Sequence, residues 1–340
     1  MRIAKVPLSG NPDHVCSLVA AGIVDEYLRR DPETRIRCHV SGGRGAIFVT
    51  GEILTQADFD VSLLVSRLLG QCGVYEQLEP FIALEPVESE RIGQFRQACR
   101  ETKEVYGYAT RETDELVPAP AYWARKIAQA MEGRRKHDPD WFWLGTSGSV
   151  TALGQGKGVG EMILEIDNSE HPLDLAREAI LNEMEEQGLK AKLQINPVGK
   201  SRSIENSVGS RPGHIFAYGQ ELPPLTNPAG LDWHASETFG YWLARRLAIE
   251  ILSESQNQAV MVKLLFMPGD VWPSKVTARD EHGRDLSFRV DLKKSQMEEW
   301  LTEWKRPGII FEAVTHGLVG SHVLPWEKST LSTLPAGALV

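Results

Sequence analysis

The sequence predicts an α+β protein, and three observations carry that expectation. Hairpin-like strand pairs and amphipathic helices recur together in three successive blocks. No G-x-G-x-x-G loop follows a strand, and the glycine-rich GQGKGVGE at 154–161 lacks Walker A spacing, so it reads as a turn between strands rather than a phosphate cradle. The chain is 340 residues long, which favours two or three domains over one.

The elements follow in order. Asn11-Pro12-Asp13 is a helix start: an Asn cap, proline at the first helical position, and an acid where the helix dipole favours it. Val15, Leu18, Val19, Ile23, Tyr27 and Leu28 recur near helical spacing, so a helix runs to about Arg30 before Asp31-Pro32 stops it. Strand-like runs at 35–40 and 46–53 flank Ser41-Gly42-Gly43 as a hairpin. Helical spacing returns over 56–69, 81–84 is a short strand, and 85–103 is a charged stretch. A helix over 121–132, strands around Val150 and at 162–166, a helix over 173–186 and a strand at 191–195 complete a second block. The third holds a helix over 235–253, a strand at 260–266 and a last strand pair near Val276 and Leu286.

Composition is that of an ordinary globular protein, with 42% hydrophobic and 24% charged residues and a mean hydropathy of −0.26. A net charge of −9 makes nucleic acid a poor partner. No run approaches the roughly 18 apolar residues of a membrane span, and no N-terminal signal peptide is legible. Cys16, Cys38, Cys72 and Cys99 are far apart with no C-x-x-C pair; Cys16 sits in an apolar helical pattern as a small hydrophobe. Reduced thiols and a cytoplasmic location are the expectation.

Several segments resemble signatures of the S-adenosylmethionine synthetases. Gly10-Asn11-Pro12-Asp13-His14 is similar to that family's GHPDK, Gly51-Glu52-Ile53 to its GEI, and Gly107-Tyr108-Ala109-Thr110 with Glu112-Thr113 and Pro118-Ala119-Pro120 to its GYATxET and MPxP. Ile195-Asn196-Pro197-Val198-Gly199 resembles INPTG, and Gly317-Leu318-Val319-Gly320 with Pro325-Trp326-Glu327-Lys328 resembles the C-terminal GHFGR and PWEK. The resemblance spans the whole chain. It implies three pseudo-symmetric α+β subdomains, at 1–90, 91–195 and 196–340, and a homodimer with its sites between subunits.

Making a sulfonium from ATP expels triphosphate, whose charge needs magnesium on carboxylates and a clamp of basic side chains. By resemblance, Asp13 stands at a magnesium-binding Asp, the metal the family implies, and Glu52 at the ligand for the methionine amino group. On the residues alone, Asp13 is also a helix first-turn acid and Glu52 a solvated strand-end carboxylate. No organic cofactor is expected.

The departures are larger than the matches. The catalytic histidine of GHPDK is Asn11 here and its lysine is His14; the potassium-site Glu falls at His39. The glycine-rich GAGDQG becomes residues 99–104, where Glu101 keeps a carboxylate, although the segment reads equally as a solvated charged helix. The DAKS stretch becomes 145–148, leaving Ser147 without either charge. After INPTG stand Ser201 and, across a short deletion, His214; Lys200, Arg202 and Arg211 are candidate replacement cations or ordinary basic loop residues. The lysine-rich GKDPxKVDR loop resembles only 227–237, which has no lysine or arginine.

Each lost charge-assisted phosphate contact costs about 1.5–3 kcal/mol. Three readings follow: a retooled enzyme acting on a nucleotide, nucleoside or sulfonium compound; a catalytically inactive partner of a true synthetase; and S-adenosylmethionine synthesis with substitute phosphate ligands. In the first, Asn11, His14 and Glu101 are catalytic candidates, and Glu52, His39, Ser147, Lys200, Arg202, Arg211 and His214 bind substrate.

Overall fold

The computed structural model describes residues 2–74, 78–213, 217–219, 222, 227–290 and 293–328. The chain runs β1 (Arg2–Pro7), α1 (Pro12–Arg30), β2 (Arg35–Gly43), β3 (Ala46–Leu54), α2 (Val61–Gln71), β4 (Glu79–Pro86), α3 (Ile92–Phe95) and β5 (Lys103–Thr110). It continues through α4 (Ala119–His137), β6 (Gly148–Gln155), β7 (Gly158–Ile166), α5 (Leu173–Glu186) and β8 (Lys192–Ile195). After a long irregular stretch come α6 (Ser236–Ser253), β9 (Ala259–Phe266), β10 (Lys275–Asp280), α7 (Lys294–Trp304) and α8 (Ile309–Thr315).

These elements make three small sheets, ordered β1-β6-β7-β8, β10-β9-β5 and β2-β3-β4. One unit occurs twice. An antiparallel hairpin is followed by a helix and then by a strand parallel to the hairpin's second member: β2-β3-α2-β4 and β6-β7-α5-β8. A parallel partner needs a crossover, and each helix supplies it.

The sheets also exchange edges. β1 pairs with β6, and β5 pairs with β9, each an antiparallel strand added to the sheet of the following block. Bridges from Leu231 to Arg37 and from Ser210 to Gly42 place the third block's lead-in beside β2 in the same manner. Strand pairing therefore crosses residues 90 and 195, although β8 ends at Ile195 and β4 at Pro86. The fold is the mixed α+β arrangement that the sequence predicts.

Packing explains several of the recognised motifs. On β9, Val260, Val262, Leu264 and Phe266 are fully buried and alternate with half-buried Met261, Lys263 and Leu265, the period of a one-face strand. Gly107 on β5 lies under α6; a Cβ there would sit 2.1 Å from the Ala244 backbone carbon, so only glycine permits that helix to approach. Gly51 has φ of 147° and faces the Arg37 carbonyl, where a Cβ would stand at 2.1 Å. The C-terminal PWEK segment is a buried lock. Trp326 stacks on Trp242 at 4.2 Å and donates from Nε1 to the Leu318 carbonyl, while Glu327 accepts from Arg245 at 2.7–3.2 Å.

Three expectations are corrected. The second helix begins at Val61 rather than near Gln56, because Asp60 caps it by accepting from Leu63 N–H, while Gln56 N–H is taken by Asp31. The charged stretch is not a continuous helix: α3 covers four residues, and 99–102 is irregular chain leading into β5. Leu286 belongs to no strand; its N–H reaches the Ala278 carbonyl, but only an isolated bridge at Asp285 returns to β10. The 154–161 loop is the β6–β7 hairpin turn, as expected. All four cysteines are buried and unpaired. No described helix is long and apolar enough to cross a membrane.

Candidate functional site

The predicted site residues fall into three groups. The first lies at the start of α1. Asn11 is the helix cap: its Oδ1 accepts from the N–H groups of Asp13 (3.1 Å) and His14 (3.3 Å), and its Nδ2 donates to the Gly148 carbonyl at 3.1 Å. The amide thus satisfies two orphan helix donors and ties α1 to the segment that replaces DAKS. Asp13, in the first turn, accepts the Arg211 backbone N–H at 3.2 Å, so the Arg211 main chain is what meets it. Burial pushes the His14 imidazole down to about 4, which leaves it neutral at pH 7.

Asn11, Asp13 and His14 open on a cavity of about 750 Å³ between α1, α4 and α8, which line it with Leu18, Ala128 and Phe311, and β1, which adds Val6 and Pro7. That volume suits a small organic ligand. Lys5, Arg125 and Lys136 reach this cavity, and all three are engaged. Lys5 pairs with Glu165 at 2.9 Å and Lys136 with Glu132 at 4.0 Å. Arg125 pairs with Glu115 and donates to the Val319 and Gly320 carbonyls.

The second group adjoins the first through residues 146–148. Ser147 is buried, 2.9 Å from the Ser201 hydroxyl, and donates to the Arg202 carbonyl at 2.6 Å. Lys200 and Arg202 line a more open depression of about 840 Å³ together with Arg44 and Asp167. Lys200 is held by the Ser169 carbonyl and Glu170, whereas the side chains of Arg44 and Arg202 have no ion-pair partner among the described residues. Sequence reasoning missed Arg44. It sits at φ of 51° on the β2–β3 turn between Gly43 and Gly45, and only the fold places that turn against 201–206.

The third group lies apart. Glu52 on β3 is held below the usual carboxylate range by the Arg91 guanidinium that binds it. Glu101 is likewise lowered by Lys103, 2.5 Å away. Glu237, at the start of α6, faces Arg37 at 3.8 Å and Lys103 at 3.7 Å. His39 is exposed on β2, two residues from the Arg37 that pairs with Glu52 across the hairpin. Phe48 and Phe81, further along this sheet, stack at 5.0 Å with 43% and 45% exposure. Among the described residues no hydrogen bond or ion pair joins this group to the other two. His214 lies outside the described residues.

Among the described residues no three His, Cys, Asp or Glu side chains converge as metal ligands, and one Asp13 oxygen already takes a backbone N–H.

Comparison with known proteins places this geometry. The profile of the S-adenosylmethionine synthetase N-terminal domain matches residues 4–91. An S-adenosylmethionine synthase of Aquifex aeolicus is 21% identical over 97% of this chain and 96% of its own length. One from Sorangium cellulosum is 26% identical over 56% of this chain, which spans 52% of that relative. The structure of an unusual S-adenosylmethionine synthetase from Campylobacter jejuni superposes with a TM-score of 0.77 at 18% identity, over 96% of both chains. Residues 4–91 match the S-adenosylmethionine synthetase N-terminal domain, and the chain as a whole has the synthetase fold. The synthetase fold explains why distant segments converge at α1, and the low identity agrees with the altered charge around it.

Proposed function

We propose that this protein is a retooled synthetase-family enzyme that takes a nucleoside, nucleotide or sulfonium compound into the cavity at the start of α1. The observation that carries this reading is that the family's cationic positions now hold neutral or committed groups. Asn11 is spent on helix capping, His14 is neutral, and among the described residues Lys5, Arg125 and Lys136 at the cavity each have an acidic partner. Among the described residues a departing triphosphate would meet no unpaired lysine or arginine there, while a ligand of low negative charge escapes that cost.

In this reading Asp13 accepts a ligand hydroxyl or faces a sulfonium, and His14 offers one ring nitrogen as donor or acceptor. A second copy of the chain supplies Glu52, Glu101 and His39 across an interface centred on the exposed sheet face of Phe48 and Phe81. No step is routed through magnesium. The alternative, an inactive partner of a true synthetase, is favoured by the ion pairs that already occupy Glu52 and Glu101.

Calorimetric titration of the purified protein with adenosine and with S-adenosylmethionine tests the reading. One of them should bind without added metal, and Asp13→Ala should weaken it about tenfold, the loss of one charged hydrogen bond. Silence toward both, or binding that Asp13→Ala leaves unchanged, refutes it.

A further inference from the structure

Away from both cavities, the loop before α6 and the end of α7 bring together three titratable side chains that no role above uses. Asp232 is 4% exposed and fixed in place: its Oδ2 accepts the Ile36 N–H and its Oδ1 accepts the His234 N–H, each at 2.8 Å. The His234 ring sets Nδ1 3.3 Å from Asp232 Oδ1 and Nε2 3.3 Å from Lys305 Nζ. Nδ1 is buried and makes no hydrogen bond, the Asp232 contact being one of proximity only; the Lys305 ammonium can only donate, so Nε2 accepts and the ring proton sits on Nδ1. The Nε2 lone pair then faces the amine.

Lys305 is unlike the other lysines near acids. Lys5, Lys103, Lys263 and Lys328 each pair with a glutamate within 3.0 Å, whereas Lys305 has no carboxylate within ion-pair distance among the described residues. Its charged surroundings are Arg35, Glu33 and Asp232. Partial burial of the amine, and then the Arg35 guanidinium, lowers its pKa from the ordinary lysine value. The residue as a whole is nevertheless exposed. Arg35 is held by the Glu33 and Thr34 carbonyls and has a buried, unpartnered Nε.

We infer that Lys305 is a reactive amine, with His234 as its base and Asp232 as the residue that positions the base, and that it is a site of acylation by acyl phosphates. The Nζ lone pair attacks the acyl carbon and forms an amide bond. The bond from carbon to the bridging oxygen breaks, and phosphate leaves with its electron pair. The ammonium proton lost to make the nucleophile passes to His234 Nε2 and then to water. Lys–NH3⁺ and the acyl phosphate dianion thus give the amide, hydrogen phosphate dianion and one proton. Arg35 supplies positive charge beside the leaving phosphate, which selects an anionic acyl donor over a neutral one.

The test treats the full chain with acetyl phosphate from pH 6.5 to 9.5 and quantifies acetylation at each lysine by peptide mass spectrometry. Lys305 should be acetylated at least about fivefold faster than Lys275 or Lys294 at pH 7.5, with a rate profile displaced to lower pH. His234→Ala should bring it to the rate of those two lysines. Asp232→Asn, which keeps an acceptor for Ile36, should shift the profile upward, a change that a purely structural residue would not cause. Arg35→Gln should slow acetyl phosphate but not the neutral reagent N-acetylimidazole. Lys305 reacting no faster than Lys275, or His234→Ala reacting as the parent does while melting at the same temperature, overturns the inference. Arg35→Gln slowing both reagents alike overturns the choice of acyl phosphate.

Discussion

Replacing Asp25 by asparagine should alter how stability depends on pH. Asp25 lies inside α1, 7% exposed, and its two oxygens accept the N–H groups of Ile310 (3.4 Å) and Phe311 (2.8 Å) at the start of α8, the helix that walls the cavity. Burial raises its carboxyl to about 7, against 3.8 for an ordinary aspartate. A raised carboxyl means that the folded chain binds the proton more tightly than the unfolded one. Its contribution to stability is therefore fully present below the unfolded pKa and is lost as pH rises through about 7.

Some three pH units at 1.36 kcal/mol each make that contribution roughly 4 kcal/mol. Asparagine keeps one acceptor for Phe311 and brings an amide needing partners, at a constant cost of about 1–3 kcal/mol. Urea melts of both chains from pH 4 to 8.5 are the assay. The stability of Asp25→Asn relative to the parent should rise by about 4 kcal/mol from pH 4 to 8. His14 works in the opposite sense, since its lowered pKa makes it lose stability as pH falls from 6.5 through about 4. The parent curve alone conceals both groups, and the difference between the chains isolates Asp25. A difference that does not change with pH refutes the reasoning.

Other consequences follow from the packing. Glu327→Ala strips the carboxylate from fully buried Arg245 and should cost about 3–5 kcal/mol in urea melts. Gly107→Ala should cost about 1–3 kcal/mol, because its Cβ forces α6 away from β5; a crystal structure of the variant should show that displacement. Asn11→Ala should lose about 1 kcal/mol for the cap, whereas Asn11→Ser, which can still accept from the helix N–H groups, should lose less.

Much of the fold was legible because its local signals agree with its tertiary setting. The cap, proline and acid at 11–13 mark where α1 begins, and the 41–45 turn joins two strands that pair in register from Arg35 with Leu54 to Gly43 with Ala46. β1 and β5 were not legible as strands. β1 is six residues long and its partner β6 lies more than 140 residues away, so nothing local announces the pairing. β5 carries the GYAT motif, and its alternation of buried Val105, Gly107 and Ala109 is weakened by the glycine that α6 requires.

The site was half legible. Motif positions located Asn11, Asp13 and His14, which share one cavity, but could not show that Asn11 is occupied as a cap. Nor could they reveal Arg91 holding Glu52, Arg44 on its hairpin tip, or the row from Asp232 through His234 to Lys305. Each of these depends on contacts between segments distant in the chain.

The central claim is that the α1 cavity no longer serves a magnesium triphosphate. Calorimetric titration with ATP, with and without magnesium, tests it most directly. The account predicts that magnesium brings no gain in ATP affinity and that added methionine releases no triphosphate. Tight, magnesium-dependent ATP binding followed by methionine-dependent triphosphate release would contradict it and restore the synthetase reaction to this chain.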